Sequence, residues 1–178
     1  MVRRNGMFGK AVIFAAALAA VAAGAAEPGS FGFGLGISLI KPPEEGANLA
    51  PLYALGAHYW ATRHIVPSLE VGYARYGADE GTYSYLPVHG RCAYHFGSSE
   101  VFDPYLGAGL IYARKWWEDN PRGNGSKNSL GYSGLGGLVI SPSKTFSFGA
   151  GLEYAVPDAG DFESGYPAFQ IILGGGNY

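Results

Sequence analysis

After residue 29 the chain alternates large apolar residues with Gly, Ser or polar ones in eight strand-length stretches. In the first, Phe31, Phe33, Leu35, Ile37 and Leu39 share one parity, and Gly32, Gly34, Gly36 and Ser38 share the other. Successive side chains of a strand point to opposite faces, so each stretch has a greasy face and a lean one. The pattern predicts strands over Ser30–Ile40, Leu52–Ala61, Val66–Tyr76, Tyr83–Phe96, Asp103–Trp117, Leu130–Ile140, Phe146–Val156 and Tyr166 to about Asn177. Most are long enough to cross a bilayer when tilted. No helical segment separates them. The expectation is an all-β fold, an eight-stranded antiparallel up-and-down barrel wearing its apolar side outward. A closed barrel is one of two ways to satisfy every backbone group across a bilayer.

The connections alternate in character. Thr62-Arg63-His64, Gly97-Ser98-Ser99-Glu100 and Pro142-Ser143-Lys144 are short. The stretches from Lys41 to Pro51, Gly77 to Thr82, Glu118 to Ser129 and Pro157 to Gly165 are mostly longer and polar. Short turns at one end and longer loops at the other place the turns in the periplasm and the loops outside. Aromatic residues gather at both levels. Tyr59, Tyr94, Phe96 and Phe146 fall at the turn side, and Tyr73, Tyr112, Trp116, Tyr132 and Tyr154 toward the loops. Two such girdles mark the places where amphipathic rings meet headgroups.

The N-terminus reads as an export signal over residues 1–26. Arg3, Arg4 and Lys10 precede an apolar run from Ala11 to Ala23, and Ala23-Gly24-Ala25-Ala26 offers a small-residue cleavage site. That run is short of the roughly 20 residues a spanning helix needs. The barrel domain is expected over 27–178. Cleavage removes three basic residues and no acid, which takes the formal charge from −2 to −5. An acidic surface argues against a nucleic-acid partner. The loops hold most of the acid: Glu44, Glu45, Asp79, Glu80, Glu118, Asp119, Asp158, Asp161 and Glu163, against Lys41, Arg122 and Lys127. Cys92 is the only cysteine, so no internal disulfide forms, and its parity with Val88, Tyr94 and Phe96 makes it a small lipid-facing hydrophobe.

Three runs carry a family likeness. Leu55-Gly56-Ala57-His58-Tyr59-Trp60, a short turn and Leu69-Glu70-Val71-Gly72-Tyr73 resemble the second hairpin of small bacterial outer-membrane barrels. Pro104-Tyr105-Leu106-Gly107-Ala108-Gly109-Leu110 is similar to the opening of their fifth strand, and Phe148-Gly149-Ala150-Gly151-Leu152-Glu153-Tyr154 to their seventh. The resemblance covers the mature chain and is to the outer-membrane β-barrel domain family, with its opacity-type and OmpA/OmpX-like members. It implies residence in the bacterial cell outer membrane, contact with outer-membrane lipid and lipopolysaccharide, and folding by the barrel-insertion machinery. The chain departs from the family at its end. The terminal aromatic, Tyr178, follows Gly174-Gly175-Gly176-Asn177 rather than alternating apolar residues. No peptidoglycan-binding domain of the OmpA type is expected after it.

Candidate chemistry lies on the lean face: His58, Glu70, His89, Arg91, His95 and Glu153. Glu70 and Arg91 sit at similar heights above a shared short turn, so an interior Glu70–Arg91 pair is expected, extended to Glu153 and His89. One reading is a gate or proton site. The other is a charge network that fills a narrow core, which an eight-strand barrel favours because it leaves room mainly for side chains. Lipid A-modifying chemistry would need a nucleophile, a base and an orienting acid in reach, and no such constellation is legible. The four histidines lack the close paired spacing of a transition-metal site. Neither a metal nor a cofactor is expected. At the loop end, Arg75 and Arg114 share parity with the apolar residues of their strands, at the level of lipopolysaccharide phosphates. A guanidinium fork suits phosphate, and rim snorkelling alone would also place them there. The sequence therefore points to a non-enzymatic, monomeric surface barrel for envelope integrity or adhesion. A narrow porin-like channel is the alternative, ahead of a soluble lipocalin-like carrier, whose polarity would be reversed.

Overall fold

A computed structural model describes residues 28–97, 101–118, 121, 123–143 and 146–176. The export segment with its cleavage site, Ser98-Ser99-Glu100, Asp119, Arg122, Lys144 and Asn177-Tyr178 lie outside the described residues. Eight strands follow one another: β1 (Phe31–Ile40), β2 (Ala50–Tyr59), β3 (Ile65–Ala78), β4 (Gly81–His95), β5 (Phe102–Glu118), β6 (Gly125–Ser143), β7 (Phe146–Val156) and β8 (Tyr166–Gly176). Each pairs antiparallel with its chain neighbours, and β8 returns to β1, closing the barrel. Leu35, for example, faces Leu55 on one side and Leu173 on the other. Closure leaves no edge to satisfy in lipid.

The alternation read from the sequence sets the faces. In β7, Phe146, Phe148, Ala150, Leu152 and Tyr154 are exposed, and Ser147, Gly149, Gly151, Glu153 and Ala155 are buried. Leu69, Val71, Leu106, Leu110 and Leu152 all stand exposed on the outer wall. A soluble monomer rarely shows so large a continuous apolar surface. Here it forms a band that lipid covers. Cys92 is exposed on the same wall. Among the described residues no helix is long and apolar enough to cross a membrane; the strands do the crossing.

The strands are unequal, and the difference corrects one expectation. At about 3.4 Å per residue and a tilt near 40°, the 10 residues of β1 rise about 26 Å, close to an apolar band of about 25 Å. The 17 residues of β5 rise about 44 Å on the same geometry and must project beyond it. The stretch from Glu118 to Ser129 is therefore not all loop. Gly125, Ser126, Lys127, Asn128 and Ser129 join the ladder opposite Trp117, Trp116, Lys115, Arg114 and Ala113. Above the bilayer the outer face no longer has to be apolar, so the alternation signal fades while the pairing continues. In the same way Gly77 to Thr82 tightens to a turn at Asp79-Glu80, closed by the Ala78–Gly81 pair. Gly81, with φ of 139°, takes a backbone angle that side-chain-bearing residues avoid. The β7–β8 connection carries one 3-10 turn, Phe162–Ser164, whose Glu163 N–H donates to Asp161 Oδ1 at 3.1 Å.

Candidate functional site: a closed lumen and a charged rim

In β4 the inward parity runs through Tyr83, Tyr85, Pro87, His89 and Arg91, all buried. The register sets Glu70 of β3 opposite His89 and Ser68 opposite Arg91. Arg91 therefore reaches diagonally, and its Nη1 lies 2.9 Å from Glu70 Oε1. Its Nη2 crosses the lumen to β7 and donates to Glu153 Oε2 at 2.7 Å and to Oε1 at 2.9 Å. Nη2 also lies 2.9 Å from His89 Nδ1. A guanidinium only donates, so Nδ1 accepts and the proton of a neutral ring sits on Nε2. Gln170 of β8 completes the set, donating from Nε2 to Glu70 Oε2 at 3.3 Å. One cation thus ties β3, β4 and β7 together through two carboxylates. The side chains are nearly dry, with Arg91 6% and Glu153 4% exposed. Charges this deep persist only when paired, and removing one partner typically costs about 3–5 kcal/mol.

Toward the loops the lumen turns apolar, which the inward charges do not announce. Ile40, Ile111, Tyr85, Tyr166, Leu52 and Ala113 form one buried cluster. Tyr166 donates its hydroxyl to Tyr85 at 3.2 Å, which leaves the two phenols satisfied inside it. Tyr76 stacks on Tyr83 with centroids 5.7 Å apart and donates its hydroxyl to Glu44 Oε2 at 2.9 Å. Glu44, from the β1–β2 connection, also pairs with Lys115 at 2.5 Å. Lys41 donates to the carbonyl of Ala47. Beside Lys115, on the residue of β6 that faces it in the ladder, Lys127 holds Asp158 at 2.6 Å. The Lys127 ammonium first, and the Gly160 N–H second, hold the Asp158 carboxyl below the usual carboxylate range. Part of the acidic rim is therefore neutralised within the chain. Glu44 with Lys115 has no signature in the alternation, because a loop acid and a strand lysine 71 residues apart share no local pattern.

Toward the turns a different cluster lines the lumen. Trp60 and His95 lie 4.8 Å apart by ring centroid, and His95 stacks on Tyr105 at 5.3 Å. His95 Nδ1 lies 2.7 Å from Asp103 Oδ2, and Asp103 Oδ1 accepts the Gly97 N–H at 3.0 Å. Sequence reasoning placed His95 inward and passed over Asp103. Its parity with Tyr105 across the short turn was the available signal. His58 and His64 stand apart from the Arg91 network. His64 donates from Nδ1 to the His95 carbonyl at 2.8 Å and stacks on Tyr94. Among the described residues no group of three His, Cys, Asp or Glu is arranged to hold a metal ion.

Arg75 and Arg114 stand exposed on the outer wall near the loops. Arg75 faces Ser84, which in turn faces Trp116, and Arg114 faces Leu86 one step nearer the band. Arg75 also lies 3.5 Å from Glu118, in a pair whose side chains are 55% and 56% exposed. Such an exposed pair holds little energy and yields readily to another anion. Tyr73 and Trp116 lie between, with centroids 6.3 Å apart.

Known proteins agree with this architecture. The chain superposes on the N-terminal β-barrel domain of Pseudomonas aeruginosa OprF with a TM-score of 0.61 and 18% identity, covering 85% of this chain and 99% of that one. Neisserial surface protein A, NspA, gives a TM-score of 0.61 at 16% identity, over 84% and 96%. Ail, the attachment invasion locus protein of Yersinia pestis, gives 0.56 at 18%, over 85% and 99%. At these identities the likeness is one of fold. No curated protein matches the chain at a significant level. The model of the outer membrane protein beta-barrel domain matches residues 11–176, nearly the whole chain. An apolar outer wall, closed antiparallel ladders and that match agree: the chain belongs to the outer membrane protein beta-barrel domain family and resides in the bacterial outer membrane.

Proposed function

We propose that this protein is a closed, non-enzymatic barrel of the outer membrane that supports the envelope and presents a short, largely acidic rim to the outside. The observation that carries this reading is the obstruction of the lumen. Arg91 bridges Glu70 and Glu153 across the middle, and Ile40, Ile111, Tyr85 and Tyr166 fill the space toward the loops. An eight-strand barrel has little lumen beyond its side chains. Purified protein in planar bilayers is expected to pass no steady current of small ions. A steady conductance would overturn the reading and favour a narrow porin-like channel.

Arg75 and Arg114 extend this reading to the lipid. They sit outward beside Tyr73 and Trp116, at the height of the lipopolysaccharide phosphates, where a guanidinium fork binds in bidentate fashion. Lipopolysaccharide is expected to raise the unfolding temperature of the wild-type barrel and to raise that of Arg75→Ala/Arg114→Ala much less. Equal stabilisation of both would reduce the two arginines to rim snorkelling. The same reading takes residues 1–26 as a cleaved export signal, the insertion machinery as the folding partner, and the working unit as a monomer. Mass spectrometry of the membrane-extracted chain is expected to find an N-terminus at Ala26 or Glu27. Lipid A from cells that express the protein is expected to keep its mass; a change would restore an enzymatic reading.

A further inference from the structure

Between the charge network and the ring cluster at the turn end lies a chamber of ≈140 Å³. Glu70, Arg91 and Gln170 line it on one side, and Trp60, His95 and Tyr105 on the other. Its walls are lean because Gly34, Gly36, Gly56, Gly149 and Gly174 face it. A Cβ at Gly34 would make only ordinary van der Waals contacts, at 3.5 Å from Ile172 Cγ2 and from the Leu173 carbonyl oxygen, so a small side chain fits there without a clash. Two of the lining side chains carry buried polar atoms with no hydrogen-bond partner in the protein, Arg91 Nε and the Tyr105 hydroxyl. Both residues are more than nine-tenths buried. Arg91 Nη1 pairs with Glu70 and Nη2 with Glu153 and His89, which leaves Nε as the guanidinium nitrogen with no partner. Tyr105 lies along the wall where Gly137 and Gly151 lack side chains; a Cβ at either would come within 2.8 and 2.6 Å of its hydroxyl.

We propose that this chamber is a binding site for one small neutral ring compound bearing a hydroxyl or carbonyl oxygen, a molecule of the phenol class. Size sets the first limit. A cavity of roughly 150 Å³ accepts benzene in a protein interior. Polarity sets the second. An oxygen on the ligand accepts from Arg91 Nε–H and is within the chemistry of the Tyr105 hydroxyl, while the ring lies against Trp60, Val66, Val139 and Ile172. Charge sets the third. Glu70 and Glu153 outnumber Arg91, so these three side chains sum to one net negative charge at the ceiling and disfavour an anion. The obstruction above makes the chamber a dead end, entered past the rings at the turn end. The inference rests on the closed lumen only for that ceiling, and conductance and binding are separate measurements.

The test is protein-detected NMR of the full barrel in detergent micelles, following the Trp60 indole N–H and the amides of Gly34 and Gly149 during titration with 4-fluorophenol. The expected result is a saturable shift confined to these probes, with sub-saturating response to fluorobenzene and none to 4-fluorobenzoate. Gly34→Leu, which puts a side chain into the chamber, is expected to abolish the 4-fluorophenol response; heat-modifiable migration in gels certifies that the variant folds. Tyr105→Phe keeps the ring and removes the hydroxyl, and is expected to weaken 4-fluorophenol about fivefold while leaving fluorobenzene unchanged. Shifts that never saturate, that persist in Gly34→Leu, or that are as large with 4-fluorobenzoate would overturn the proposal and leave the chamber to solvent. If Gly34→Leu fails to fold, an equal loss of both ligands in Tyr105→Phe overturns it as well.

Discussion

The two ends of this lumen obey opposite rules. At the turn end the inward residues are glycines, a charge network and three rings around a chamber. At the loop end they are Ile40, Ile111, Leu52, Tyr85 and Tyr166 packed together. The outer wall inverts in step. It is apolar at Leu69, Leu106 and Leu152, and polar at Arg75, Ser126 and Asn128. Below the headgroups the apolar side faces lipid and the small inward residues let a narrow barrel close. Above them the same ladders stand in water, and burial drives large apolar side chains inward as in any soluble barrel. One chain thus carries a membrane barrel and a water-exposed barrel on continuous strands, and the polarity switch marks the boundary. The Arg91 network lies below that boundary, within the apolar band, where the outward residues flanking it are Leu69, Val71, Leu110 and Leu152, and it separates the lean part of the lumen from the packed one.

The strongest way to break this picture is to unbalance the network that separates the two parts of the lumen. Glu70→Ala leaves Arg91 buried with one of its two carboxylates and is expected to destabilise the barrel by about 3–5 kcal/mol in urea unfolding from lipid vesicles. Arg91→Leu added to it should recover much of the loss, because the stranded cation goes with it. A double variant no more stable than Glu70→Ala would show that the network is not a set of mutually dependent charges.

The inversion of the outer wall can be tested at a smaller scale. Leu106→Arg places a charge in the apolar band and should cost about 2–4 kcal/mol near the midplane. Ser126→Arg, on the same wall beyond the headgroups, should change stability by less than about 0.5 kcal/mol. Folding yields into vesicles check both. Equal costs at the two positions would erase the boundary, and equal tolerance would mean that Leu106 does not face lipid.

Smaller still is the difference between two inward glycines. A Cβ at Gly72, beside the loop-end core, would meet Leu52 Cδ1 at 3.0 Å and Pro87 Cγ at 3.1 Å. Gly72→Ala should therefore destabilise by about 1 kcal/mol through overpacking. Gly34→Ala, facing the chamber, should be neutral or stabilising by about 0.5 kcal/mol, since it removes backbone freedom from the unfolded chain and its Cβ makes only ordinary contacts at 3.5 Å. Thermal unfolding in one detergent compares them directly, and the reverse order would contradict the contrast between a packed end and a hollow one.

Much of this was legible before the structure. Strict period-two alternation in lipid marks the faces, so the inward set from Glu70 to Glu153 and the outward set from Phe31 to Leu173 follow from parity. The shared short turn is enough to bring Glu70 and Arg91 to one height. Legibility stops where the bilayer stops. Ser126 to Ser129 are polar on both faces and look like a loop, although they are paired. Ile40 and Ile111 are apolar and look lipid-facing by composition, although they point inward. Glu44 with Lys115, and His95 with Asp103, depend on loop and turn geometry that a strand pattern does not carry.

The slightest expected effect belongs to the rim. Lys127 holds Asp158, whose carboxyl also accepts the Gly160 N–H at 3.1 Å. Because the folded carboxyl sits below its ordinary range, the interaction is fully present above the unfolded value of about 4 and is lost as pH falls through the lower folded value. Nothing should change between neutral pH and about 4. The Asp158 side-chain carbonyl carbon, followed by NMR, is expected to titrate below the usual carboxylate range in the wild type and to move up toward it in Lys127→Met. High salt should shift the wild type the same way, because the pair is open to solvent and screening reaches it. Identical titrations of wild type and Lys127→Met would mean that the water-exposed rim is not tied by this pair, and that the packed core below holds the loop end by itself.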